Sequence, residues 1–174
     1  AKRLGLPVSH FVASTNSNDT VPRYLQTQDY QPKPSKQTIS NAMDVGNPSN
    51  FIRIQSLYGN DFDALKQDFS SYAYNDVETT LALAELHQKH NYIADPHGAV
   101  GYLGLQHFLA NNPDHYGVFL ETAHPIKFRE TVEETLGLTL EIPTQIQHIL
   151  DKTPEKTSLS GYDAFKDYLL SQAV

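Results

Sequence analysis

Ser40-Asn41-Ala42-Met43-Asp44-Val45-Gly46-Asn47-Pro48-Ser49-Asn50-Phe51 is the stretch from which the rest of this 174-residue chain can be read. It closes a segment, residues 26–50, that is rich in Pro, Gln, Ser, Thr and Asn and lacks helical periodicity. An irregular segment of that length inside a compact domain is usually functional or disordered. Two readings of residues 38–50 stay open: a lid that closes over a substrate, or a packed structural loop. Regular structure resumes at its end. Asn47 can cap a helix, Pro48 suits its first turn, and Gly59 suits its end. Between them Phe51, Ile54, Leu57 and Tyr58 share one helical face.

Upstream, residues 1–5 read as the tail of a helix, with Gly5 as C-cap and Pro7 as the stop. Domains do not usually begin there, so the chain is expected to start inside a domain. Val8 to Ala13 is apolar and β-rich, a short buried strand ending in the polar run Ser14–Asp19. Downstream, Asn75 with Glu78 forms a capping box for a helix to about His90, with Val77, Leu81 and Ala84 inward. Tyr92 to Ala94 is a short strand candidate. Asp95-Pro96-His97-Gly98 turns the chain into a helix that runs to Asn111 and stops at Asn112-Pro113. Tyr116 to Glu121 is the clearest strand. It leads through Thr122-Ala123-His124 into a helix with Pro125 at its start, Gly137 past its end, and Phe128, Val132 and Leu136 as its stripe. An amphipathic helix at 162–171 closes the chain.

Strands alternating with helices imply an α/β domain, a mostly parallel sheet flanked by helices. Residues 1–150 would form its main body and 151–174 a tail helix packed on it. Ligands of such sheets bind beyond the strand C-terminal ends. Residues 14–19, 95–98 and 121–124 occupy those ends.

Composition narrows the function. The net charge of −7 repels phosphate backbones, so a nucleic-acid partner is not expected. No apolar run approaches the ~20 residues needed to span a bilayer, so a membrane partner is not expected either. The expected location is cytoplasmic. Without cysteine there are no disulfides, cysteine nucleophiles or thiolate metal sites. Asn18-Asp19-Thr20 matches a glycosylation sequon, a pattern common by chance. His87 and His90 have a metal-compatible spacing but no evident third ligand, and read as a solvated helix face with no metal site.

Four motifs in order resemble those of the threonine synthase family, enzymes of fold type II (tryptophan synthase β-like) that use pyridoxal 5'-phosphate (PLP). They are Ala13-Ser14-Thr15-Asn16-Ser17-Asn18-Asp19-Thr20-Val21-Pro22-Arg23-Tyr24-Leu25, the 40–51 stretch, Asp95-Pro96-His97-Gly98-Ala99-Val100-Gly101-Tyr102, and Glu121-Thr122-Ala123-His124-Pro125-Ile126-Lys127-Phe128. Gln28, where the family usually has glycine, and Ser17, where alanine is common, are small departures. The resemblance implies conversion of O-phospho-L-homoserine and water into L-threonine and phosphate, with PLP as electron sink. It implies that the Thr122 hydroxyl meets the pyridine nitrogen of PLP, where a neutral donor suits elimination and replacement better than transamination. The other reading of Thr122 is a cap on the helix behind Pro125. Asn16, Asn18 and Asp19 follow a buried strand, where their amides and carboxylate can face the ligand and line the active site, or they serve the turn chemistry these residues favour. His97 lines it too, or makes a local hydrogen bond at its helix start.

The family also needs a Schiff-base lysine and a glycine-rich phosphate cup. Neither is evident in this sequence, and both are expected upstream of Ala1, so no catalytic residue is assigned within it. Ala164-Phe165-Lys166-Asp167 spells the family's lysine motif but lacks its Pro-Thr context. It lies on the final helix, with Phe165, Tyr168 and Leu169 as an inward stripe, so Lys166 is set aside. The expectation is the C-terminal part of the PLP domain, inactive by itself and completed by an N-terminal half. A related phospho-lyase that discards phosphate, or a non-catalytic interaction module, are the alternatives.

Overall fold

The computed structural model describes residues 2–149 and 152–172. Ala1, where the helix tail of 1–5 would begin, and the expected boundary at 150/151 lie outside them. The chain forms two units, Ala1–Leu140 and Glu141–Val174.

The first unit is built on a two-stranded parallel sheet. β1 (Phe11–Thr15) pairs with β2 (Phe69–Ala73) from Phe11↔Phe69 to Thr15↔Ala73. A parallel pair needs a long crossover. Here it carries α1 (Thr20–Thr27), the loop through residue 50, α2 (Phe51–Leu57) and α3 (Phe62–Asp68). α4 (Asp76–His90), α5 (Pro96–Asn111) and α6 (Arg129–Leu136) follow, and α5 packs on β1. This is the α/β class read from the sequence. Among the described residues the sheet has two strands.

Two apolar clusters fill the unit. In one, Tyr24 meets Tyr30, Phe51 and Phe62 edge-on at ring distances of 5.9, 5.5 and 5.4 Å. Such aromatic pairs contribute beyond the area they bury. The other joins Ala82, Leu83 and Leu86 of α4 to Ala94 and to Ala99 of α5, with Phe119 and Leu136 alongside.

Local signals set the helix ends. Asn75 and Glu78 form the complete capping box, with bonds of 3.0 and 2.8 Å. Asp95 caps α5 ahead of Pro96, and Gly137 closes α6 at φ 64°. Gln28 closes α1 in the left-handed region at φ 62°, donating its N–H to Tyr24 O. A side chain there is strained and glycine is not. Gln28→Gly should therefore raise stability by about 0.5–1 kcal/mol, read as a higher urea midpoint at constant slope.

Several expectations need correction. Residues 2–4 form a single 3-10 turn rather than the end of an α-helix, although Gly5 does follow it at φ 90°. The first strand starts at Phe11, not Val8, because β2 offers no partner before Phe69. β2 and α3 were missed. Ser70 and Ser71 dilute the strand signal, and only the Asp61 cap marks α3. α2 begins at Phe51, since the Asn47 side-chain oxygen Oδ1 accepts from the Tyr30 hydroxyl (3.1 Å) instead of capping. α4 buries Thr79, Ala82, Leu83 and Leu86, while Val77 and Leu81 are exposed. Thr79 can enter the core because its hydroxyl bonds Asn75 O (2.9 Å), and Leu83 and Leu86 then meet Ala99. Tyr92–Ala94 and Tyr116–Glu121 are not strands. Period two is real in the latter: Phe119 packs inward while Tyr116, Val118 and Leu120 are exposed. No neighbouring segment among the described residues gives it a ladder. In the second unit, α7 (Thr144–Gln147) and α8 (Tyr162–Gln172) have no buried residue, and Phe165, Tyr168 and Leu169 are exposed rather than inward.

Candidate functional site

The loop beyond β1 is held by a polar clasp. Asn16, 1% exposed, sits one residue past the strand end. Its amide nitrogen lies 2.8 Å from both Thr38 Oγ1 and Asp44 Oδ1, and 3.2 Å from Ser40 O and Ser40 Oγ. Its oxygen accepts from the N–H and side-chain amide of Asn18 (3.0 and 2.8 Å). Asn18 in turn pairs with the Lys36 backbone in both directions, at 2.9 and 2.7 Å. Asp44 also accepts from Thr38 N (3.0 Å) and Thr38 Oγ1 (2.7 Å). Buried polar atoms stay inside only when so satisfied. The 36–46 loop is therefore anchored at Thr38, Ser40, Asp44 and Gly46, while Lys36, Gln37, Asn41, Ala42 and Val45 stay exposed. Asn18, buried with both amide atoms engaged, is no glycosylation acceptor.

Asp19 points elsewhere. It accepts from Arg23 Nε (2.9 Å) and lines a separate cleft of about 370 Å³ with Tyr74 and His107. Burial pushes its carboxyl up, but the hydrogen bond and charge of Arg23 prevail and hold it below the usual aspartate range. Burial raises the Tyr74 phenol in that cleft to about 12.

The turn at α5 joins the clasp to the 121–124 segment. Asp95 is fully buried. Its Oδ1 accepts from His97 N (2.8 Å) and lies 2.6 Å from His97 Nδ1. His97 Nε2 accepts from Ala42 N (3.1 Å), which requires the neutral ring with its proton on Nδ1. The ring packs against Phe128 at 4.6 Å. Both ring nitrogens and the backbone N–H of His97 are thus engaged within the chain, the last being the helix-start hydrogen bond. Asp95 N donates to Glu121 Oε1 (2.9 Å). Gly98 lets that carboxyl in, since a Cβ there would land on Glu121 Oε2.

Burial pushes the Glu121 carboxyl up to about 7, opposed by the Asp95 N–H and reinforced by the Asp95 side chain. Asp95 moves the other way. Burial pushes it up, but the hydrogen bonds from His97, with the neighbouring Glu121 carboxyl, hold it below its ordinary range. Thr122 follows Glu121 and is exposed. His124, not Thr122, caps the turn behind Pro125, its Nδ1 accepting from Ile126 N (3.1 Å). Nearby, a cleft of about 620 Å³ opens between Thr38, Asn41, Asp76, Lys127, Phe128 and Arg129.

The family model "Threonine synthase, C-terminal" matches residues 98–169. The threonine synthase of Escherichia coli K12 is 45% identical over 151 residues, 87% of this chain and 34% of that protein. The chain matches the C-terminal part of the threonine synthase family. The solved threonine synthase of Escherichia coli superposes with a TM-score of 0.88 at 40% identity, over 98% of this chain and 39% of that one. PLP-bound threonine synthase from Brucella melitensis gives a TM-score of 0.79 at 26% identity, over 97% and 41%. The chain spans about a third of the length of the curated threonine synthases it matches. Among its described residues no helix is long and apolar enough to cross a membrane.

Of the residues singled out from the sequence, Asn16, Asn18 and His97 meet around the 36–46 loop, Asp19 turns to the second cleft, and Thr122 stands exposed beside Glu121. Thr38, Ser40, Asp44, Asp95 and Glu121 were given no role by the sequence. Asp95 follows one expected strand and Glu121 ends another, and both open family-like motifs, which were the signals available for them.

Proposed function

We propose that this chain supplies the C-terminal part of the PLP-binding domain of a threonine synthase, which converts O-phospho-L-homoserine and water into L-threonine and phosphate. The observation that carries this is the family match joined to the placement of Thr122, exposed on a turn whose preceding residue, Glu121, is anchored to Asp95 N. PLP, when bound, supplies the electron sink that stabilises carbanions. The residues present fit one part of it. Thr122 offers a free-standing hydroxyl donor suited to an unprotonated ring nitrogen. Asn16, Asn18 and His97 shape the loop beside it, and Asp19 with Arg23 borders the neighbouring cleft. This sequence contains no glycine-rich phosphate cup, and Lys166 lies on the exposed helix α8, so the chain alone is proposed to be inactive. Residues 1–150 belong to the catalytic domain and 151–174 form its tail. The outward row Tyr116, Val118 and Leu120 supports a surface covered by the remainder of the enzyme.

Thr122→Val, made in the intact protein, keeps the side-chain volume and removes the donor. The absorbance of bound PLP should shift and PLP affinity should fall by roughly tenfold, the scale of one lost hydrogen bond. A variant with wild-type spectrum and affinity would remove Thr122 from the cofactor site.

A further inference from the structure

Asp95 and Glu121 lie 26 positions apart and meet in the interior. Asp95 Oδ2 and Glu121 Oε2 are both buried, and among the described residues neither receives a hydrogen. The two carboxyl groups are near enough to shift one another's ionisation, and Glu121 Oε1 already accepts from Asp95 N. Two ionised carboxyls are acceptors only and repel, so such a contact needs a proton. A single proton on Glu121, donated to Asp95, satisfies both orphaned oxygens and leaves the cluster with one negative charge. That charge sits at the N-terminus of the 16-residue helix α5, where it is favoured. The titratable groups facing Glu121 are Asp95, His97 beyond it, and Tyr92 on the segment before α5. His97 already gives its one proton to Asp95 Oδ1 and takes the Ala42 N–H on its other nitrogen.

We propose that Glu121 is a positioning residue: it carries a proton shared with Asp95, and that proton holds the Glu121–Thr122 turn and, through His97 and Ala42, the Ser40–Asp44 loop in one arrangement. The significance for the cofactor rests on the reading of Thr122 above. Burial, with the neighbouring Asp95 charge, moves the loss of this proton to about pH 7. The folded chain binds it more tightly than the unfolded chain, whose ordinary glutamate value is 4.5. The stabilisation is therefore complete below pH 4.5, declines as pH rises and is gone above about 7. Ionisation places two like charges side by side in the interior and pushes the turn away from α5.

The test is hydrogen exchange and infrared spectroscopy on the intact protein, from about pH 5.5 to about pH 8.5. Wild-type protection at the Asp95 and Ala42 amides should fall by about tenfold across that range, the free-energy scale of one pKa unit. Glu121→Gln keeps the shape, donates its NH2 to Asp95 and accepts from Asp95 N, so protection should persist and lose its pH dependence. Glu121→Ala should lose protection at every pH. The wild type should show a protonated-carboxyl band at the acid end that is absent in Glu121→Gln. Absence of that band, or a Gln variant with the wild-type pH profile, would overturn the shared proton. If Thr122→Val leaves the PLP spectrum unchanged, the cofactor contact fails separately, while the exchange profile still decides the role of Glu121.

Discussion

Asn16→Ala should destabilise the protein by roughly 3–4 kcal/mol, since several buried partners lose hydrogen bonds at once. The amide serves Thr38, Ser40 and Asp44 through its nitrogen and Asn18 through its oxygen. Deleting it strands the Asn18 N–H and removes donors from Ser40 and Asp44. Residues 36–46 should lose exchange protection with the global loss of stability. Asn16→Asp preserves the shape but presents a carboxylate to Asp44, and should do no better. Urea unfolding at constant slope measures the effect. A cost below about 1 kcal/mol, within the range of a single exposed contact, would show that the clasp adds little.

Gly46→Ala should cost roughly 2–3 kcal/mol through overpacking. Gly46 is buried, and a Cβ there would overlap the carbonyl oxygen of Lys33, a backbone atom with no rotamer to change. Relief requires moving one limb of the loop. The Gly46 carbonyl is also tied to Thr20 Oγ1 at 2.7 Å, at the first turn of α1. The melting temperature should drop by roughly 5–10 °C for a unit of this size. An unchanged melting temperature would mean the loop shifts without resistance and that Gly46 is not a packing constraint.

The sequence was most legible where the physics is local. The Asn75–Glu78 box, the Asp95 cap and Gly137 each act within a few residues and were recognisable as such. The inward face of α4 was not, because Val77/Leu81 and Leu83/Leu86 both make plausible stripes, and only the α5 neighbour selects between them. Strand assignment failed for the same reason. Tyr116–Glu121 has the alternation of a strand, but pairing depends on a partner that the local pattern does not contain. The site divides likewise. Of its turns, 14–19 follows a real strand end as general α/β geometry expects, whereas 95–98 and 121–124 follow no strand and were marked by the family-like motifs alone. What binds those turns together spans 18 to 28 positions in the clasp, 55 between Ala42 and His97, and 26 between Asp95 and Glu121. No window of sequence displays such bonds.

The clasp also bears on how quickly the sheet can assemble. Residues 13 and 71, directly paired across the ladder, are 58 positions apart, so that pairing must first gather a long flexible loop. Contacts of high sequence separation slow folding for this reason. Tying Asn16 to Asp44 gathers 28 of those positions beforehand and leaves about half of the loop free. Halving a loop lowers its closure penalty by about 0.6 kcal/mol, so strand pairing is easier once the clasp has formed. A weakened clasp would then slow refolding as well as hasten unfolding, and a newly made chain would spend longer with its first strand unpaired.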